Sequence, residues 1–211
     1  MKQLVIIGAR GFGREVYSLA QQSVGYGEDF IVKGFLDDNS DALDGFSNYP
    51  KILSSVEDYQ IQNTDVFICA LGSIKWSAFY ANQILNKGGE FINLIDKEAT
   101  IRQNVKLGVG VLISKGSIIS NDVSIGDFTH IMSYCILGHD VQVDKNSRLG
   151  DYVFVGGYTK VADQVFIAVR AIILDRLQIG KGATVGAGSV VIRNVKENST
   201  VFGNPAKKIE F

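Results

Sequence analysis

Large aliphatic side chains recur at every sixth position between residues 101 and 191, without a single interruption. The sixteen positions are Ile101, Leu107, Ile113, Ile119, Ile125, Ile131, Leu137, Val143, Leu149, Val155, Val161, Ile167, Ile173, Ile179, Val185 and Val191. Four residues after each of them stands a small or aliphatic side chain. A helix of about 3.6 residues per turn cannot keep this stripe on one face, and an alternating strand needs no six-residue period. The repeat therefore predicts a parallel β-helix whose short strands each bury one large and one smaller side chain.

The repeat also predicts how residues stack along this β-helix. Three six-residue repeats make one turn, so residues 18 apart in the chain lie over one another at about 4.8 Å, the spacing of neighbouring strands. Sixteen repeats make a little over five turns, and the tail after Val195 is expected to cap one end. The flat sides of such a short solenoid are expected to associate with other copies in a cyclic oligomer.

Residues 1 to 95 follow a different pattern, in which short apolar strands alternate with helical segments. The predicted strands are Leu4–Ile7, Ile31–Leu36, Asp65–Leu71 and about Glu90–Leu94, and the predicted helices follow Gly13, run from Ser54 or Ser55 to Tyr59, and run from about Trp76 to Leu85. This alternation predicts a small Rossmann-like parallel sheet covered by helices. The fold class is thus an α/β domain over residues 1–95, followed by a β-helix domain with a C-terminal cap over residues 96–211.

Composition narrows the function classes. The chain has 21 basic and 22 acidic residues, so its net charge indicates no binding to nucleic acid or to an anionic membrane. No apolar run approaches the length of a membrane span, and the segment after Met1 is too short for a secretory signal. Cys69 and Cys135 both fall in apolar stretches and are expected to be buried free thiols, as in a reducing cytoplasm.

The β-helix segment carries both histidines of the chain, and one of them has the neighbours of a catalytic base. His139 falls between inward positions and is expected to point outward, beside Asp140 and one coil below Gly157. An exposed imidazole, a carboxylate and a bare amide supply a base, a group to tune it and an oxyanion donor. The alternative is a surface histidine beside an ordinary glycine corner. His130, over which Arg148 stacks, is expected to have a structural or ligand-contact role.

The first strand runs into a loop, Gly8–Gly13, with the spacing G-x-x-G-x-G. A tight strand-to-helix turn explains the glycines by itself, and amides at the start of the next helix can also bind a phosphate. Asp37 and Asp38 follow the next strand, where open α/β sheets make contacts to a nucleotide ribose or base. A dinucleotide such as NAD fits poorly, because the sheet is small and the rest of the chain is a β-helix.

Six motifs together resemble those of the hexapeptide-repeat acyltransferases with a left-handed β-helix. They are LVIIGARGFGREV at the start, GFLDDN at 34–39, the repeat itself, LGHD at 137–140, VGAGSVV at 185–191 and VFGNPAKK at 201–208. The resemblance is strongest to the subfamily that acetylates nucleotide-linked 4-amino-6-deoxy sugars for cell-surface polysaccharide or glycan synthesis, with its relatives described as sialic-acid O-acetyltransferases. It covers essentially the whole chain.

The resemblance implies a site in the β-helix. His139 would be the general base that takes a proton from the sugar amine during direct attack on acetyl-CoA, and Asp140 would orient it. The Gly157 amide would bind the thioester oxygen. Acetyl-CoA would lie between subunits of a homotrimer; its implied contacts are Arg148, Gly157, Val169, Ala187, Asn204 and Pro205. No metal is implied.

The resemblance also implies a nucleotide-sugar site in the N-terminal domain. The implied contacts are Gly11, Phe12, Gly13, Arg14, Asp37 and Asp38.

One departure from the family concerns Arg148, which stands where characterised members carry a second histidine. Because arginine is permanently charged, it cannot act as a neutral imidazole acceptor.

Three alternatives to this function follow from the same residues. O-acetylation of a sialic acid or another sugar needs the same base, so the sequence leaves it open. A carbonic anhydrase of the γ class, which has the same fold, is disfavoured because its zinc needs three histidines and the chain has two. A non-catalytic β-helix scaffold would bind no acetyl-CoA and would be indifferent to loss of His139.

Overall fold

The computed structural model describes residues 1–210. They divide into two compact units, one over Met1–Lys97 and one that begins at Glu98. The assignment of a separate function to each unit stays a prediction.

The first unit contains the predicted small parallel sheet with helices, but the sheet has five strands, and the one at Ile52–Ser54 was not predicted. Its elements are β1 (Lys2–Ile7), α1 (Gly11–Gln22), β2 (Phe30–Leu36), β3 (Ile52–Ser54), β4 (Asp65–Cys69), α2 (Ile74–Asn86), β5 (Glu90–Phe91) and, outside this sheet, β6 (Leu94–Ile95). The sheet order is β3-β2-β1-β4-β5. The order reverses at β1, because the chain first adds strands on one side of it and then on the other. Open sheets of this kind bind ligands at the carboxyl ends of the strands around such a reversal.

Three predicted elements of the first unit differ from the structure. Within residues 1–210 no helix runs from Ser54 or Ser55 to Tyr59: the segment is a turn, in which the Ser55 hydroxyl accepts a hydrogen bond from the Asp58 amide at 3.1 Å. The strand predicted near residues 90–94 is interrupted, and β5 and β6 are its two short pieces. Helix α2 begins two residues early, because the Ser73 hydroxyl caps it by accepting from the Trp76 amide.

Tyr59 follows this turn and belongs to an ionic cluster with Lys33 and Asp65. The Lys33 ammonium lies 2.7 Å from Asp65 Oδ1 and 2.8 Å from the Tyr59 hydroxyl, which donates to Asp65 Oδ2 at 2.8 Å. Burial alone would raise the pKa of Asp65, but the hydrogen bonds from Lys33, the Gln62 amide and Tyr59 outweigh it and lower that pKa. The pKa of Lys33 is raised, since the same bonds outweigh its own burial.

The second unit is the predicted β-helix, left-handed and built from sixteen two-residue strands in three parallel sheets. Sheet one contains β7 (Thr100–Ile101), β10 (Ile118–Ile119), β13 (Ile136–Leu137), β16 (Phe154–Val155), β19 (Ile172–Ile173) and β22 (Val190–Val191). Sheet two contains β8 (Lys106–Leu107), β11 (Ser124–Ile125), β14 (Gln142–Val143), β17 (Lys160–Val161) and β20 (Gln178–Ile179). Sheet three contains β9 (Leu112–Ile113), β12 (His130–Ile131), β15 (Arg148–Leu149), β18 (Phe166–Ile167) and β21 (Thr184–Val185).

The interior of the coil is filled as the repeat predicts. Fourteen of the sixteen repeat positions are buried, the exceptions being Ile101 and Leu107 in the first turn. Some of the positions four residues after a repeat position carry serine or threonine. These polar side chains are tolerated because their hydroxyls donate to backbone carbonyls inside the coil. Ser117, for example, donates to the Met132 carbonyl at 2.8 Å, and Thr159 donates to the Leu174 carbonyl at 2.9 Å.

The corners between sheets share one backbone conformation. Three residues after each repeat position from 101 to 185, the backbone adopts positive φ, with glycine at some corners and asparagine, aspartate, glutamine, phenylalanine, tyrosine or arginine at others. The side chains around each corner therefore point outward, and equivalent positions recur every 18 residues along the same edge of the coil.

The tail after the last coil forms a hairpin. Strand β23 (Thr200–Gly203) pairs in parallel with β21 and antiparallel with β24 (Ala206–Ile209), so the tail extends sheet three beyond its last coil, and its role as a cap stays a prediction. Among residues 1–210, no helix is both long and apolar enough to cross a membrane.

Candidate functional site

His139 lies at the corner that follows β13, between sheets one and two, and its side chain is 59% exposed. Its Nδ1 atom lies 2.8 Å from Oδ2 of Asp140. Asp140 has the positive φ of the corner, 59°, which turns its carboxylate back towards the preceding imidazole. The pair leaves the second ring nitrogen, Nε2, for another partner.

Gly157 lies over the imidazole, one coil further along. A Cβ atom added to Gly157 would lie 3.0 Å from His139 Nε2, so the absence of a side chain makes room for the ring. The two coils are joined here by a hydrogen bond from the Tyr158 amide to the His139 carbonyl at 3.0 Å. Within residues 1–210 the Gly157 amide donates no hydrogen bond to the protein. A basic ring nitrogen and an available backbone donor thus lie side by side.

Two further side chains at this corner were not anticipated from the sequence. The Tyr158 ring meets the His139 imidazole edge to face, with centroids 5.0 Å apart and planes at 89°. The Arg176 guanidinium lies 4.6 Å from the centre of the Tyr158 ring, one coil further on. The 18-residue stacking rule could have placed both near His139, because 140, 158 and 176 are successive positions of one corner.

The other expected acetyl-CoA contacts lie elsewhere on the coil. Arg148 is in β15 on sheet three, paired with His130 of β12. Val169 and Ala187 stack at the corner between sheets three and one, where the Gly188 amide donates to the Val169 carbonyl at 2.9 Å. Asn204 and Pro205 form the turn of the terminal hairpin and are joined by a cis peptide bond. One chain therefore does not bring these residues to the His139 corner.

His130 is buried, with only 3% of its surface exposed. Burial, and then the positive charge of Arg148, lower the pKa of His130 to about 3. Its imidazole is therefore neutral at physiological pH and is a buried side chain of sheet three. No cluster of three or more histidine, cysteine or acidic side chains that could hold a metal ion occurs among residues 1–210.

The first unit contains a cavity of about 660 Å³ at the carboxyl ends of β1, β2 and β4, where the strand order reverses. Of the expected nucleotide contacts, Phe12, Asp37 and Asp38 line it. Side chains that the sequence did not single out contribute the rest of the polar and aromatic wall: Arg10, Asn39, Ser73, Trp76 and Tyr80. Arg10 directly precedes the expected loop residues, while Trp76 and Tyr80 follow the third predicted strand, as Asp37 follows the second.

The two aspartates of this cavity have different partners. Asp37 accepts hydrogen bonds from the amides of Ala9 and Asn39, at 2.9 Å and 3.0 Å, and so ties together the loops after β1 and β2. Asp38 accepts a hydrogen bond from the Tyr80 hydroxyl. That bond, with some burial, raises the pKa of Tyr80 to about 12, so the phenol stays protonated. Asp37 thus stabilises the two loops, and Asp38 is the more exposed hydrogen-bond acceptor.

Gly11, Gly13 and Arg14 are not part of the cavity wall. Gly13 is buried where α1 crosses the Gly8 carbonyl, and a Cβ atom would collide with that oxygen. The Arg14 guanidinium lies 3.6 Å from the centre of the Phe46 ring. Helix α1 nevertheless begins beside the cavity with no side-chain cap and no acidic residue in its first turn, an arrangement that favours an anion.

Comparison with known proteins relates both units to described families. The PglD N-terminal domain matches residues 3–84, and the bacterial transferase hexapeptide (six repeats) matches residues 122–157. The GDP-perosamine N-acetyltransferase of Escherichia coli O157:H7 is 28% identical over 228 residues, which cover 97% of this chain and 95% of that protein. By contrast, the chain spans only 29% of the length of another, longer relative, with which it is 31% identical over 134 residues.

Solved structures share the whole fold. PerB from Caulobacter crescentus, solved with CoA and GDP-perosamine, has a TM-score of 0.89 at 24% identity, covering 100% of this chain and 98% of that one. The acetyltransferase domain of PglB from Neisseria gonorrhoeae FA1090, solved with acetyl coenzyme A, has a TM-score of 0.90 at 23% identity, covering 99% of both chains. At these identities the likeness shows the fold.

The small parallel sheet and the β-helix of six-residue repeats are thus each similar to a described family. The relative that is similar over 97% of the chain is named as an N-acetyltransferase, and the solved neighbours named above are acetyltransferases too.

Proposed function

We propose that the protein transfers an acetyl group from acetyl-CoA to the amine of a nucleotide-linked 4-amino-6-deoxy sugar. The observation that carries the proposal is the position of His139 Nε2 beside the backbone of Gly157, on the exposed side of the coil. The relative in Escherichia coli O157:H7, named for N-acetylation of GDP-perosamine and similar over 97% of this chain, supports an amine as the acceptor.

The chemistry begins with proton removal. The sugar amine attacks the thioester carbonyl carbon, the new N–C bond forms, and His139 Nε2 takes the proton that the nitrogen must lose. The C–S bond then breaks, and the imidazolium returns the proton to the departing sulfur, which leaves as the CoA thiol. Acyl transfer is direct, and no covalent enzyme intermediate is required.

Two neighbours of His139 support the transition state of this step. Asp140 contacts Nδ1, which favours the tautomer with its proton on that nitrogen and its lone pair on Nε2, and the carboxylate stabilises the imidazolium that forms. The Gly157 amide can donate to the carbonyl oxygen as it becomes negative. A donor at such an oxyanion typically contributes about 3 kcal/mol to transition-state stabilisation.

The acetyl-CoA site is proposed to need a second copy of the chain. Val169 and Ala187 lie on a different corner from His139, so only a neighbouring subunit can bring the two corners together across one groove. Sheet one supports such an assembly, because its outward face is an apolar ladder of Ile136, Phe154 and Ile172, each about 40% exposed. The homotrimer, with Arg148, Asn204 and Pro205 as further coenzyme contacts, is part of this proposal.

The nucleotide-sugar site is proposed to be the cavity of the first unit. The uncapped start of α1 and the Arg10 side chain offer the positive partners that a diphosphate requires. Trp76 offers a flat aromatic surface for a base, and Asp38 offers a carboxylate that can accept from a ribose hydroxyl or a base N–H. A cytoplasmic location, consistent with two buried free thiols, belongs to the same proposal.

Thiol release tests this function. The purified protein is incubated with acetyl-CoA and one acceptor at a time: GDP-, UDP- and dTDP-linked 4-amino sugars, and CMP-sialic acid as the hydroxyl acceptor. We expect thiol release with an amino sugar and its loss in His139→Ala, with the oligomeric state and CoA binding retained. Release with the hydroxyl acceptor alone would replace N-acetylation by O-acetylation. No release and no CoA binding would indicate a scaffold.

A further inference from the structure

Tyr158 is placed to limit the movement of His139. The imidazole is largely exposed, so few neighbours restrain it, and the bond to Asp140 fixes only the Nδ1 side of the ring. The Tyr158 ring lies against the imidazole at 5.0 Å and nearly perpendicular to it. This edge-to-face arrangement is a favourable geometry for aromatic rings, and it prevents the His139 side chain from rotating towards Tyr158.

Tyr158 is itself held from the other side. The Arg176 guanidinium lies 4.6 Å from its ring centre, and Arg176 Nε lies 3.5 Å from the Asp175 carboxylate. The Arg176 amide donates to the Gly157 carbonyl at 2.9 Å, so the same residue also joins the coil that carries Gly157 to the next one. A cation, an aromatic ring and an imidazole thus form one column along the corner.

The same device occurs at a corner that has no histidine. There the Arg170 guanidinium lies 5.7 Å from the ring centre of Tyr152, which stacks on Tyr134 with centroids 5.1 Å apart. Tyr134 and Tyr158 share the backbone φ of 59° and are similarly exposed, 43% and 45%. The corner of Tyr134, between sheets three and one, also carries Val169 and Ala187, the proposed coenzyme contacts, so the control is taken from the third corner, between sheets two and three, where the aromatic residue Phe128 has a positive φ of 55°.

From this geometry we infer that Tyr158 is a positioning residue for the reaction, which holds the His139 imidazole with Nε2 directed at the space beside Gly157. The inference rests on the proposed function. It assigns to Tyr158 no contact with acetyl-CoA or the acceptor, and so it predicts an effect on turnover without an effect on binding.

Steady-state kinetics with the acceptor that supports thiol release separate this role from a structural one. In Tyr158→Ala we expect kcat to fall about tenfold, as the loss of a packed aromatic contact to the base would cause. KM for acetyl-CoA and for the acceptor should stay within about twofold of the wild type. Tyr158→Phe keeps the ring and should restore at least about half of the wild-type kcat, while Phe128→Ala should leave kcat unchanged.

The outcomes are distinct from failure of the proposed function. If the wild type releases no thiol with any acceptor, the proposed function fails. If the wild type is active and His139→Ala is not, but Tyr158→Ala turns over like the wild type, the positioning role alone is wrong. A rise in KM with unchanged kcat in Tyr158→Ala would also overturn it, because Tyr158 would then be a binding residue. Equal losses in Tyr158→Ala and Phe128→Ala would assign the effect to coil stability, which thermal unfolding of both variants would confirm.

Discussion

Nδ1 of His139 lies 2.8 Å from a carboxylate oxygen of Asp140, the next residue in the chain. This contact decides which ring nitrogen is available, because a proton held between Nδ1 and the carboxylate leaves Nε2 as the basic atom. Nε2 is also the atom that lies against Gly157. His139 and Asp140 at one corner therefore provide the base, and Gly157 on the next coil provides the amide that would bind the oxyanion.

Replacement of Asp140 by Asn tests the role of this carboxylate. Asparagine tolerates the positive φ of 59° at this position, so the corner should keep its shape. The amide no longer balances the charge of an imidazolium, and we expect kcat to fall by about 10-fold to 100-fold with little change in KM. The measurement is steady-state thiol release, with Asp122→Asn, at the same corner one coil below, as the control. Turnover equal to the wild type would show that Asp140 does not assist the base.

Replacement of Gly157 by Ala tests the space beside Nε2. The new methyl group would lie 3.0 Å from Nε2 and 3.1 Å from Cε1, so the imidazole must move by a few tenths of an ångström. We expect kcat to fall about tenfold, since small misplacements of a catalytic group are costly. The coil itself should be unaffected, because Ala187 and Lys145 occupy the same step at other corners. Lys145→Ala is the control for a methyl group at that step, and unchanged turnover in Gly157→Ala would contradict the geometry.

Trp76 is the single tryptophan of the chain and lines the cavity of the first unit, so its fluorescence reports on ligand binding. We expect GDP, UDP or dTDP to change this fluorescence on titration. In Trp76→Ala, calorimetry should show the dissociation constant of the same nucleotide rising about tenfold or more, the effect of losing one base-stacking surface. Leu85→Ala removes another exposed apolar side chain of α2, outside the cavity, and should bind as the wild type does. Equal affinity in both variants would exclude Trp76 from the site.

The ion pair between the half-buried Lys33 and the buried Asp65 predicts an acid-dependent loss of stability in the first unit. The pKa of Asp65 is lower in the folded protein than in the unfolded chain, so its contribution is complete above about pH 5 and is lost as the pH falls through the folded value. Asp65→Asn leaves the Lys33 charge without its partner, and because Lys33 is partly exposed to water we expect the free energy of unfolding at pH 7 to fall by about 2 kcal/mol.

Urea unfolding followed by Trp76 fluorescence measures this effect, because Trp76 lies in the same unit. The difference between the wild type and Asp65→Asn should shrink from pH 7 to pH 3, because the unfolded wild-type chain protonates Asp65 over this range while its lowered pKa keeps the folded protein from doing so equally. Asp44→Asn, an exposed acidic residue of the same unit, should unfold like the wild type at both pH values. A difference that does not change with pH would mean that the charge of Asp65 contributes nothing.

The β-helix was predictable from the sequence because its period determines what faces inward and what stacks. The relationship between His139 and Gly157 followed from the 18-residue spacing alone. The contact between Tyr158 and His139 did not, because the direction of a side chain at a corner depends on the positive φ of that residue. The groove expected for acetyl-CoA also requires a second copy, which no periodicity within one chain can describe.

The first unit was predictable in its class but less so in its details. The short helix expected to end at Tyr59 is a turn, because the tyrosine hydroxyl is bound between Lys33 and Asp65, and that contact depends on residues distant in the chain. For the same reason the cavity wall was only partly foreseen. Asp38 follows a strand and was expected there, whereas Tyr80 reaches it from α2, 42 residues later.

A crystal structure of His139→Asn with CoA and the accepted amino-sugar nucleotide would test the central claim most directly, through the position of the acceptor nitrogen. The account predicts this nitrogen within about 3 Å of the residue 139 side chain, with the sulfur of CoA beside the Gly157 amide. An acceptor amine bound in a groove that contains neither residue 139 nor Gly157 would contradict it.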